Sequence, residues 1–179
     1  MKNVTSRKSG ETHQMELQDI GYDHPDPWPH GNRSDSGKDV LYNGTDTLSA
    51  DLCRWGTHRF IRCVLRLPVI GTDQVFAFGP WGGVNPDNFD RYVQAELTGT
   101  LGGFEGCFAW LMNRLPGFEM DDWLPCNLVI EDPAERPVLE VHDGANELAR
   151  LQEEGMTFEQ LQHIYASAGR PMPHRPLHS

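Results

Sequence analysis

The sequence predicts an α+β domain: an antiparallel sheet of about five to six strands with helices packed on one face. Three observations predict it. Residues 58–69 alternate with a period of two, setting Ile61, Cys63, Leu65 and Leu67 against His58, Phe60, Arg62, Val64 and Arg66, as in a strand with one dry and one mixed face. Two later segments carry apolar stripes at helical spacing instead, Phe89, Tyr92, Val93 and Leu97, then Leu161, Ile164, Tyr165 and Ala168. The strand signals come in runs and do not alternate regularly with helices, which argues against a doubly wound parallel sheet.

Taken in order, residues 1–47 read as a poorly packed N-terminal arm. Asp23-His24-Pro25-Asp26-Pro27-Trp28-Pro29-His30 alternates proline with polar residues, and 31–39 is nearly all polar or Gly. Neither stretch offers a helix or strand period. Trp28 is the candidate anchor. A single α+β domain takes 48–169. Its first two strands, 48–55 and 58–69, flank Gly56-Thr57, a two-residue hairpin turn. Pro68 ends regular pairing or marks an edge. Gly71-Thr72-Asp73 turns the chain into a third strand at 75–81.

Asn85-Pro86-Asp87 opens a helix. Asn caps, Pro fits the first helical position, and Asp favours the positive end of the dipole. The helix ends near Gly99, and a glycine-rich connection runs to Gly106. Residues 107–112 read as a fourth strand, although a short buried helix has the same pattern. Residues 126–131 and 137–142 read as two more strands, and 146–154 as a short helix. Thr157-Phe158-Glu159-Gln160 is a capping box that opens the last helix, which Gly169 and Pro171 terminate. The tail, 170–179, is rich in proline and histidine and reads as loose.

Composition narrows the partners. The 179 residues carry a formal net charge of −11. Such a surface repels phosphate backbones and anionic lipid, so neither nucleic acid nor a membrane is an expected partner, whereas a basic protein is favoured. No apolar run approaches the roughly 20 residues of a membrane helix. Residues 1–10 have basic side chains but no apolar core, unlike a secretory signal. Cys53, Cys63, Cys107 and Cys126 are widely spaced in apolar surroundings, as expected of reduced core residues in a cytoplasmic protein.

Recognisable catalytic and metal motifs are missing. There is no Cys-x-x-Cys, and prolines at 173 and 176 keep His174 and His178 from aligning on a helix. No metal or cofactor is expected. The glycine-rich stretches 79–83 and 99–106 lack the Gly-Lys-Ser/Thr ending of a nucleotide loop. Cys63 alternates with Ile61 and Leu65, so its thiol should be buried and inert. The most informative polar set is Asp51, Arg62, Arg66, Asn113, Arg114 and Glu140, all in or at the ends of strands. Charges there must be paired or face water. One reading is a structural ion-pair network. The other is a recognition patch of Arg62, Arg66, Trp81, Trp110, Asn113 and Arg114, because aromatic and Arg side chains carry much of the energy of interfaces.

Several segments together resemble a known family. Asp51-Leu52-Cys53, Phe60-Ile61-Arg62, Leu67-Pro68-Val69-Ile70-Gly71-Thr72, Phe89-x-x-Tyr92, Trp110-Leu111-x-Asn113-Arg114-Leu115-Pro116-Gly117 and Arg136-Pro137-x-Leu139-Glu140 are similar to the bacterial family catalogued as domain of unknown function 2199. The resemblance spans about residues 48–168. It implies a shared fold and assigns no reaction. Members often begin with Cys-x-x-Cys-Gly and a nearby His, half of a zinc knuckle. Here Ser6 and Ser9 stand in the corresponding places, and a hydroxyl is a poor zinc ligand.

The sequence therefore leads to a non-enzymatic cytoplasmic protein that binds another protein, in one concrete form an acidic neutraliser of a basic bacterial effector. One alternative is a small hydrolase using Asp51, His58 and His142. Another is a regulatory domain whose relatives carry a zinc knuckle.

Overall fold

A computed structural model describes residues 17–144 and 146–171. Strands β1 (Ile20–Gly21), β2 (Leu41–Asn43), β3 (Asp46–Leu48), β4 (Leu52–Trp55), β5 (His58–Arg62), β6 (Leu65–Pro68), β7 (Val75–Gly79), β8 (Trp81–Val84), β9 (Cys107–Leu111), β10 (Leu124–Val129) and β11 (Val138–Val141) are joined by helices α1 (Arg33–Ser36), α2 (Pro86–Leu97), α3 (Glu147–Glu154) and α4 (Phe158–Ser167). The α+β class is as the sequence predicts. The sheet is larger than the expected five to six strands: eight antiparallel strands run in the order β11-β10-β9-β8-β5-β4-β3-β2, and a second, three-stranded sheet runs β1-β7-β6.

The miscount has three causes. The long alternating segment 58–69 divides at Cys63-Val64, placing β5 in the large sheet and β6 in the small one. Pro80 divides 75–81 in the same way, into β7 and β8. Proline cannot donate a ladder hydrogen bond, so the chain changes sheets there. The remaining additions come from the N-terminal part.

Local signals behave as their chemistry requires. Gly56 adopts φ 55° in the β4–β5 turn, a conformation that a side chain disfavours. Oδ1 of Asn85 accepts from the Asn88 amide at the start of α2. Thr157 and Gln160 complete the capping box of α4. Leu97, expected on the apolar face of α2, is instead exposed at its last turn.

The main core lies among one face of the large sheet, the small sheet, which contributes Leu65, Leu67, Phe76 and Phe78, and the helices. Ile61, Ala109, Leu111, Cys126, Leu128 and Leu139 meet Phe89 and Tyr92 of α2, Leu148 and Leu151 of α3, and Leu161 and Ile164 of α4. On the opposite face a line of cross-strand neighbours runs Leu41, Leu48, Cys53, Phe60, Gly83, Trp110, Pro125. Its first half is sealed by a second cluster, Trp28 on Leu48, Cys53, Phe60 and Trp81. The expectation of a poorly packed arm over 1–47 thus fails from Ile20 onward. Ile20 pairs in parallel with Phe78, Trp28 is buried, and β2 and β3 extend the sheet. Prolines suit this segment because it packs through side chains and turns more than through a ladder.

Candidate functional site

The six residues of the expected recognition patch do not share one surface. Trp81 and Asn113 are both 0% exposed. Trp81 belongs to the second core cluster, and its indole Nε1 donates to the Tyr22 carbonyl at 2.9 Å. Asn113 is a buried hub. Its Oδ1 accepts from the Trp81 amide at 2.8 Å, and its Nδ2 donates to the His24 carbonyl at 3.0 Å and to Asp26 Oδ1 at 2.9 Å. Asp26 Oδ2 then accepts from the Arg114 amide at 2.7 Å. The mixed face of the sheet is half sealed because the N-terminal segment lies across it, and those two residues are corrected from docking groups to structural ones.

The remaining four divide. Arg62 is half-buried, donates from Nε to the Gly79 carbonyl at 2.8 Å, and lies over the Trp81 ring. Burial first, then the nearby Arg136, lowers its pKa. Arg66 pairs with Glu131 at 2.5 Å and with Glu135 at 3.5 Å. Arg114 lies over the Trp123 ring and donates to the Met120 carbonyl. Trp110 is 44% exposed.

Trp110 has company that the sequence reading overlooked. Along β9, Cys107, Ala109 and Leu111 turn toward the main core, while Phe108 and Trp110 turn outward. Phe108 is 43% exposed and meets Trp110 edge to face at 5.0 Å. Across the ladder, Asn127 faces Phe108 on one side and Glu140 on the other. The His142 ring packs on Phe108 at 5.6 Å, and its Nε2 lies 2.9 Å from Oδ1 of Asn127. Glu140 also lines a groove of about 450 Å³ with Glu131, Asp143, Glu153 and Arg66. An open aromatic patch thus lies one strand away from a groove rimmed by carboxylates. Such a surface can stack on guanidinium or ammonium groups and pair with them. The missed signal was the period of two in 107–111. Both of its faces are apolar, so it reads as a buried strand unless the covering layer is known.

The alternative catalytic set stays dispersed. Asp51 precedes β4 and pairs with Arg136 at 2.8 Å. His58 sits at the opposite end of the β4–β5 hairpin, stacked on Trp55. His142 follows β11 at the far edge of the sheet. No hydrogen bond joins any two of the three among the described residues.

Burial pushes the Cys53 and Cys126 thiols up to about 12 and raises Cys63 and Cys107 as well, so all four are held protonated. Among the described residues no group of three or more His, Cys, Asp or Glu side chains is placed to hold a metal. Ser6 and Ser9 lie outside the described residues. Among those described, no helix is long and apolar enough to cross a membrane.

Comparison with known proteins matches residues 5–156 to a family described as an uncharacterized protein conserved in bacteria, domain of unknown function 2199. The chain belongs to that family. No curated protein and no solved structure matches it.

Proposed function

We propose that this member of an uncharacterised bacterial family acts in the cytoplasm by binding a basic protein and not by catalysis. The acidic neutralisation of a basic effector is its most concrete form. One observation carries the reading: Phe108 and Trp110 stand open to solvent, and across Asn127 from Phe108 lies Glu140, whose groove also holds Glu131, Asp143 and Glu153. Exposed ring pairs of this size mark docking surfaces more often than isolated apolar side chains do. The formal charge of −11 adds long-range attraction for a basic partner.

The test uses the immobilised chain in native bacterial lysate at two salt concentrations. A basic protein should be retained at low salt, released as salt rises, and lost when Glu140 and Glu153 are both replaced by Lys. Retention of no basic protein, or equal retention by the Lys variant, would refute the assignment.

A further inference from the structure

A second concavity shares no lining residue with the acidic groove. It lies where the start of β4, helix α2 and the β10–β11 loop meet, and encloses about 240 Å³. Asp51, Tyr92, Glu96, Leu101, Glu135 and Arg136 line it. Three separate stretches of sequence thus deliver polar side chains to one place.

The informative group is Tyr92. Its ring is packed edge to face on Phe104 at 5.8 Å, and the residue is 5% exposed. Its hydroxyl makes no hydrogen bond to another described residue and is not itself a buried unpartnered atom, so it reaches the solvent of the pocket that the side chain lines. The ring is fixed by packing while the hydroxyl opens to the pocket, so the phenol is a positioned donor for something that enters. Burial, with Glu96 next, raises its pKa, which keeps it a neutral donor. Arg136 is similarly half used. Its Nε donates to Asp51 Oδ1, while its two terminal nitrogens have no partner among the described residues.

The pocket therefore offers two kinds of site side by side. The phenol and the free edge of the guanidinium are donors, suited to a carboxylate. Arg136 pairs with Asp51 and Arg66 reaches Glu135 at 3.5 Å, which leaves the Glu96 carboxylate in excess, so a ligand that brings more positive than negative charge is favoured. We propose that this pocket binds a basic amino acid, its carboxylate held by Arg136 and Tyr92 and its cationic groups by Glu96, Glu135 and Asp51. The volume fits a free amino acid and is small for a larger cofactor.

L-Lysine and L-arginine are the probes, with cadaverine, which lacks the carboxylate, and acetate, which lacks the amines, as controls. At about 10 mM, saturating for a sub-millimolar Kd, either amino acid should raise the Tm by about 5 °C or more, and neither control should. Tyr92→Phe keeps the ring. It should melt at or above wild type without ligand, yet weaken lysine binding by about 10-fold, and Arg136→Gln by about 10- to 100-fold. Trp110→Ala should bind lysine unchanged, which separates this site from the protein-docking face. No shift with either amino acid, an equal shift with cadaverine, or undiminished binding by Tyr92→Phe would overturn the proposal.

Discussion

Trp110 and Asn113 are three residues apart and live in opposite environments. Trp110 stands in solvent beside Phe108, whereas Asn113 is sealed under the N-terminal segment with all of its side-chain polar atoms engaged. Trp110 is in β9 and Asn113 lies just past its end, and the difference is made by the cover. Residues 22–28 lie over the β3, β4, β5 and β8 half and leave the β9, β10 and β11 half bare. Polar residues near a covered face become ties that hold the cover down, and aromatic residues on the bare part become available to a partner. Chemical type alone does not distinguish these roles; the neighbouring layer does.

The contrast can be broken from the covered side first. Trp28→Ala empties the centre of the cover and should cost about 3–5 kcal/mol in urea unfolding. A cost below about 1 kcal/mol would mean that the arm is merely draped. Asn113→Ala leaves the Trp81 amide and the His24 carbonyl without their partner and should cost about 2–4 kcal/mol. The neighbouring Arg114→Ala keeps its backbone bond to Asp26 and loses only a half-exposed contact with Met120 and Trp123, so less than about 1 kcal/mol is expected. If the two variants cost the same, the proposed division between hub and surface is wrong.

The smallest effect concerns the clasp at the edge of the cover. Asp46 accepts from the Gly56 amide and then from His30, and these two bonds hold its carboxyl below the usual value of 3.8. A depressed folded pKa contributes stability that is present above 3.8 and lost as pH falls through the lower folded value. Asp46→Asn should therefore flatten the fall of Tm with acid below about pH 4, and leave the slope near neutrality unchanged. An identical acid slope in both proteins would remove Asp46 from the clasp.

How much could be read from the sequence follows the same division. The hairpin at Gly56, the Asn85-Pro86 helix start and the Thr157–Gln160 capping box were legible because each is decided by its own few residues. The strand count was not, because an alternating segment looks continuous until its halves join different sheets, as at Val64 and Pro80. The role of Asn113 was hidden because its partners, His24 and Asp26, lie about ninety residues earlier in a segment with no period of its own. Trp110 was legible as an aromatic in a notable run, while Phe108 beside it was masked by a strand apolar on both faces. Tyr92 read as one more member of the apolar stripe of α2, and nothing local signals that its hydroxyl ends at a cavity.

The most direct test of the open half of the sheet compares wild type with a Phe108→Ser, Trp110→Ser double variant, measuring affinity for the basic protein retained from lysate. The account predicts that the urea midpoint stays within experimental error of wild type while the Kd rises by about 100-fold or more, as for a paired aromatic hot spot. An unchanged Kd in a folded variant would contradict it.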